Sequence, residues 1–174
     1  MAGTQRQGRF TFFWKEESPF SQFNRVAFEV EGVRYNCAEQ FMMAGKARLF
    51  GDTEMLAEIL EAKTPRAQKA LGRKVRGFDV ATWERERERI VYAGNHAKFT
   101  QNASYLEALL ASRGTELVEA SPMDRIWGVG LKMEDPRIQD PSKWRGLNLL
   151  GKVLTRLRED LLAEGISVPP TDAP

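Results

Sequence analysis

The sequence predicts a predominantly helical α+β fold, a single compact domain with a small antiparallel sheet or hairpin near its N-terminus. Three observations lead there. The chain has 174 residues, 42% hydrophobic and 29% charged, which suits one globular unit with its own core. Aromatic residues and apolar alternation crowd the stretch before Cys37. Beyond it, apolar residues recur at helical spacing, separated by capping residues. Residues 1–8 and the Pro-containing end, 166–174, read as flexible tails around a domain spanning 9–165.

In order, "RFTFFW" (9–14) is a short aromatic strand. "VAFEVEGVRYN" alternates Val26, Phe28 and Val30 with Ala27, Glu29 and Glu31 and turns at Gly32, as a hairpin does. "AEQFMMAGKARLF" is the first helix. "TEMLAEILEA" is a second, capped by Asp52 or Thr53. "TPRAQKALGRK" has Thr64 at the cap and Pro65 at the first helical position. "DVATWERERERIVYAGNHAKF" is a long helix whose alternating charges form a solvated face, with Trp83, Ile90, Gly94 and Ala97 turned inward. "NASYLEALLASRG" is capped by Asn102 and closed by Gly114, and "TELVEAS" is a short strand. "GLNLLGKVLTRLREDLLAEG" is the last helix, with Leu147, Leu150, Leu154, Leu157 and Leu161 on one stripe and Gly165 at its end.

Charge is nearly balanced, 26 basic against 24 acidic residues, so nothing demands a nucleic-acid partner. One cysteine, Cys37, and one histidine, His96, make neither a disulfide framework nor a structural zinc site. No metal and no cofactor are expected. The N-terminus has no apolar signal core and no apolar run is long enough to span a bilayer, so a cytoplasmic protein with no membrane partner is expected. Oligomeric state is left open.

Chemistry centres on "NCAEQFMMAGK" (36–46). With Asn36 as N-cap, Glu39 is the third helical residue and completes a capping box. On spacing alone that structural reading is the stronger. Yet at about 100° per residue Glu39, Met43, Lys46 and Phe50 share one stripe, bordered by Met42. A carboxylate and an ammonium on an apolar stripe are costly unless paired or used. They are about 10 Å apart along the axis, and Lys46 leans back toward Glu39. A buried salt bridge and a pocket lined by both groups are the alternatives. The dipole at the helix start and Lys46 should both favour ionised Glu39, a general base rather than an acid.

Three further stretches have a structural and a functional reading each. "SPMDRIWGVG" (121–130) is a turn with Trp127 plugging the core, or a loop offering Asp124 and an aromatic wall beside Gly128. Phe12, Trp14, Phe20 and Phe23 surround a Ser-Pro turn as core, or cover a nucleotide base. Asn148 and Gly151 permit close helix packing, or hold a phosphate or ribose hydroxyl at a helix N-terminus. Cys37, with no histidine nearby in sequence, reads as a small buried residue.

The ordered set "SPFSQF", "AEQFMMAGK", "LGRKVRG", "TWE", "MDRIWGVG" and "NLLGKVLTRLR" runs from about residue 10 to 160. It closely resembles the YbiA-like group of the NADAR (NAD and ADP-ribose) superfamily, which includes riboflavin-intermediate N-glycosidases. The resemblance implies an enzyme, a hydrolase that breaks a C–N bond between a ribose carbon and an amine or base. It implies Glu39, Lys46 and Asp124 as catalytic residues: Glu39 for hydrolysis, Lys46 for a Schiff base with opened ribose, Asp124 for the second carboxylate role. It matches Trp83 and Trp127 to active-site positions and Arg73, Asn148, Gly151 and Arg158 to motif positions; with Phe12, Trp14, Phe23 and Gly128 from the stretches above, all but Arg158 are expected around the substrate. The partner implied is a ribosyl-phosphate or an ADP-ribose-containing small molecule. The alternatives are removal of ADP-ribose from a modified base such as guanine in nucleic acid, and, of another class, a non-catalytic NAD or ADP-ribose sensor. Two departures stand out. Gln40 replaces the histidine of the group's common "EH" pair, and the insertion-like segment 131–146 is expected to reshape the pocket.

Overall fold

Residues 2–167 are described by the computed structural model. In chain order they form β1 (Thr4–Gln7), β2 (Phe10–Phe13), β3 (Arg25–Val30), β4 (Val33–Cys37), α1 (Ala38–Leu49), α2 (Thr53–Glu61), α3 (Pro65–Gly72), α4 (Val80–Thr100), α5 (Ala103–Ala111), β5 (Glu116–Glu119) and α6 (Leu149–Ala163). The α+β, predominantly helical class is the observed one. None of the described helices is long and apolar enough to cross a membrane.

The β3–β4 hairpin is antiparallel and turns on Glu31 and Gly32, both at positive φ (51° and 76°), the backbone a two-residue loop between right-twisted strands requires. A second sheet has the order β1-β2-β5, with β1–β2 antiparallel and β2–β5 parallel. Its β1 corrects the expectation that 1–8 is a loose tail. Thr4 pairs with Phe13 and Gln7 with Phe10, so backbone pairing along β2 orders a polar segment that has no hydrophobic pattern of its own. At the other end, 166–167 follow α6 as non-helical, exposed residues, and 168–174 lie outside the described residues.

β2 is buried on both faces. Phe13 packs into the main core with Phe20, Phe41, Leu117 and Leu150. Phe10 and Phe12 point into a second cluster with Val118, Val129 and Ile138. The 131–146 segment builds that second cluster from two short 3-10 turns, Pro136–Gln139 and Pro141–Lys143, with the Trp144 indole donating to the Ile138 carbonyl.

α1 lies at the centre of the helical layer against α2, α3 and α4. The approach is close because a Cβ at Gly72 of α3 would strike Met43, and one at Gly94 of α4 would strike Phe41. Asp52, Thr64 and Asp79 cap α2, α3 and α4 through their side chains. Asn102 does not cap α5; its amide donates to the carbonyls of Ala27 and Lys98 instead. α6 starts later than its apolar pattern suggests. Asn148 is left-handed (φ 53°), so Leu147 falls before the helix and is exposed, while Leu150, Leu154, Leu157 and Leu161 are buried.

Candidate functional site

The first turn of α1 settles what caps it. Asn36 still belongs to β4, and the N-cap is Cys37. The Cys37 sulfur accepts from the Gln40 N–H (3.4 Å) and donates to Gln68 Oε1 (3.0 Å). Gln40 Oε1 accepts from the Asn36 N–H at 2.8 Å, and its Nε2 donates to the carbonyls of Ile59 (3.0 Å) and Leu60 (3.1 Å). Gln40, not Glu39, therefore does the work of the capping box. Burial pushes the Cys37 thiol up to about 11, which keeps it an unreactive structural group.

Freed from capping, the Glu39 side chain is 3% exposed, and its Oε1 has no hydrogen-bond partner. It faces a cavity of about 640 Å³, lined also by Trp14, Met42, Met43, Lys46, Trp83 and Asp124. Phe23, Arg73 and Trp127 complete the predicted residues found in its wall. Lys46 forms no ion pair with Glu39 among the described residues. Its Nζ lies 4.4 Å from the Phe78 ring centre and 5.7 Å from that of Trp83, a favourable seat for a cation. Burial lowers its pKa, Glu39 opposes this, and Arg73 adds to it.

Electrostatics at Glu39 run against the sequence expectation of an ionised group. Burial pushes its carboxyl up to about 7; Lys69 opposes this most, Asp124 pushes further up, and Lys46 and Arg73 oppose. Desolvation outweighs the helix dipole and the cations because none of these donates a hydrogen bond to the carboxyl.

Asp124 sits in the 121–128 loop, where its Oδ1 accepts from the N–H groups of Ile126 and Trp127, both at 2.8 Å, and its own N–H donates to Ser121 Oγ. The carboxylate thereby fixes the Trp127 wall. Ser21, Gln22 and Phe23 line the same cavity. The Gln22 carbonyl accepts from the Glu39 N–H at 2.9 Å. Buried Lys98, pushed down to about 7 by burial, donates to the Ser21 carbonyl at 2.9 Å. Asn95 Nδ2 donates both to the Val91 carbonyl and to Gln22 Oε1, which leaves Gln22 Nε2 unpaired in a residue of the cavity wall.

The NADAR domain model matches residues 12–162. The chain belongs to the NADAR domain family. It is 42% identical over 146 residues to N-glycosidase R617 of Acanthamoeba polyphaga mimivirus, covering 81% of this chain and 86% of that one. It is 34% identical over 113 residues to the chloroplastic riboflavin biosynthesis protein PYRR of Zea mays, covering 63% of this chain and 16% of that longer protein. The NMR structure of the E. coli protein YbiA superposes with a TM-score of 0.75 at 27% identity, over 94% of this chain and 91% of that one.

Within this NADAR domain, four predicted site residues are placed away from the cavity wall. Phe12 is wholly buried in the second cluster, because alternation along β2 turns it away from Phe13. Asn148 spends its side chain on β5, accepting from the Glu119 N–H and donating to the Leu117 carbonyl, both at 3.0 Å. Gly151 lets α6 meet β5, since a Cβ there would strike the Leu117 carbonyl. Gly128 is needed where the loop passes the carbonyls of Glu119 and Asp124. Arg158 is likewise structural, donating to the carbonyls of Ser112 and Thr115. No residue of 131–146 lines the cavity, so that segment buttresses the far side of the sheet rather than reshaping the pocket. Sequence reasoning missed Gln22, Lys69, Glu119 and Arg125, all of which line it. Lys69 alone carried a signal, one helical turn before Arg73 in a basic run.

Proposed function

We propose that this NADAR-domain enzyme is an N-glycosidase that hydrolyses the bond between ribose C1′ and an amine or base in a phosphoribosylated nucleotide. The observation that carries the reading is the buried, unpartnered Glu39 carboxyl in a cavity walled by Trp14, Phe23, Trp83 and Trp127. N-glycoside cleavage builds positive charge on the ribose and negative charge on the leaving nitrogen. A carboxyl near 7 is partly ionised at neutral pH, and positive charge growing on the sugar draws it to the ionised form. Glu39 then takes a proton from the attacking water and opposes the oxocarbenium charge. Asp124, with one oxygen tied to its own loop, holds Trp127 against the base and offers its second oxygen to the ribose. Lys69, Arg73 and Arg125 supply cations for the phosphate.

The maize relative is a riboflavin biosynthesis protein, which supports an intermediate of that synthesis as the substrate; its chemical form would be an aminopyrimidine ribonucleotide. A sensor has no use for an unpaired buried carboxyl, whose desolvation costs stability. One observation favours a second route: burial holds Lys46 below the usual lysine range, which raises the fraction of neutral amine able to attack an opened ribose.

A substrate panel tests the reading: release of ribose 5-phosphate, release of ADP-ribose, or binding without turnover. Ribose 5-phosphate release by wild type, lost in Glu39→Gln, is expected. ADP-ribose release alone would transfer the activity to the ADP-ribose alternative, and binding without turnover would refute the enzyme. Borohydride added during turnover distinguishes the routes: no adduct at Lys46, with activity surviving Lys46→Ala, removes the Schiff base.

A further inference from the structure

Glu119 is the last residue of β5, and its backbone is fixed on every side. It is paired with Phe13 of β2, its N–H donates to Asn148 Oδ1 at 3.0 Å, and its carbonyl accepts from the Val129 N–H at 3.0 Å. The side chain lines the same cavity as Glu39, and Oε2 is buried with no partner. Its strand neighbours Leu117 and Val118 are apolar and wholly buried. A residue needed only to finish the strand would be apolar too, since an unpaired buried carboxyl costs stability. Asp124 faces it from the 121–128 loop, Glu39 from α1 and Lys69 from α3. Two carboxyls desolvated in one cavity do not both ionise readily. Burial first, then Asp124 and Glu39, push Glu119 up to about 8, with Lys69 opposing. Glu119 has two carboxyl neighbours against Lys69 alone, while Glu39 has Lys69, Lys46 and Arg73 against Asp124, so Glu119 is the harder of the two to ionise.

We infer that Glu119 is the general acid of the reaction, giving its proton to the leaving nitrogen while Glu39 takes one from water. The assignment rests on the N-glycosidase reading. As the C1′–N bond breaks, its electron pair goes to nitrogen, which receives the Glu119 proton. Water adds to C1′ and gives its proton to Glu39. The products are the free ribose phosphate and the neutral amine, with Glu119 ionised and Glu39 protonated. Transfer of one proton from Glu39 to Glu119, directly or through water, restores the starting state.

Glu119→Gln keeps the size and removes the proton. Two probes differ in what their leaving groups need. An aminopyrimidine ribonucleotide must be protonated to depart, whereas a pyridinium ribonucleotide releases an already neutral base. In Glu119→Gln, kcat/KM is expected to fall about 100-fold or more on the first and less than about 10-fold on the second. The wild-type rate on the first probe should decline above about pH 8, as the acid loses its proton, and the variant should lack that alkaline limb. Its thermal midpoint at pH 6, at or above that of wild type, excludes misfolding, and Glu119→Asp should recover part of the activity. Equal losses on both probes, or an alkaline limb that persists in Glu119→Gln, would overturn the assignment and leave the glycosidase standing. If wild type cleaves only the aminopyrimidine probe, the limb decides. Wild type that cleaves neither probe refutes the glycosidase reading and this one with it.

Discussion

At the start of α1, Gln40 is 2% exposed and Glu39 is 3% exposed, yet the chain treats them in opposite ways. Gln40 accepts from one backbone N–H and donates to carbonyls at the end of α2, while the Glu39 carboxyl is left without a partner on Oε1. On one side, every hydrogen bond of a buried amide is spent holding β4, α1 and α2 together. On the other, a group that could be made apolar at a gain in stability is kept polar, desolvated and aimed at a cavity. Adjacent positions thus separate the two uses of a buried polar residue: satisfied, it specifies structure; unsatisfied, it is held for a ligand.

The comparison breaks most visibly in activity. Glu39→Gln should lower kcat by about 1,000-fold or more while the urea midpoint at pH 8 holds or rises. Gln40→Ala should do the reverse. It strands the Asn36 N–H and the Ile59 and Leu60 carbonyls, and should cost about 2–4 kcal/mol in urea denaturation, with the turnover of the remaining folded protein within about 5-fold of wild type. Should Gln40→Ala abolish turnover without destabilising the fold, the division between the neighbours fails.

A smaller effect should appear in the pH dependence of stability. Glu39 and Glu119 are pushed from 4.5 up to about 7 and about 8. Such a group holds its proton more tightly folded than unfolded. It costs nothing below about pH 4.5, where both states are protonated, and its destabilisation grows as pH rises until the folded group also ionises. Glu119→Gln should therefore match wild type at pH 4 and exceed it by about 2–4 kcal/mol at pH 9. The smallest expected effect concerns Cys37. Iodoacetamide should leave the native thiol unmodified at pH 8 and label it only in urea, and Cys37→Ser should shift stability by less than about 1 kcal/mol, because serine caps a helix at least as well.

Helical spacing and caps made α2, α3 and α4 readable, and Glu31-Gly32 placed the hairpin turn. The gathering of Glu39, Met43 and Lys46 in one wall followed from the pitch of α1. What the sequence hid depended on partners distant in the chain. The polar β1 has no pattern apart from its pairing to β2. Asn36 and Cys37 compete for the same cap, and the outcome turned on how far β4 pairs before the helix begins. Phe12 was credible as a site residue until the register of β2 turned it into the second cluster and left Phe13 to the main core. Glu119 looked like one more strand residue, and only the approach of the 121–128 loop and α1 gives its carboxyl company.

The parallel pairing of β2 with β5 joins Phe10 to Glu116 and Phe13 to Glu119 across most of the domain's length. Closing so long a loop is entropically late in folding. A chain leaving the ribosome with α1 to α4 already coiled possesses Glu39, Lys46 and Trp83 but has yet to receive Glu119, Asp124 and Trp127. Half of the wall thus precedes the strand that completes it. The wall is complete only once β5 has joined β2, which brings Glu119, Asp124 and Trp127 to Glu39.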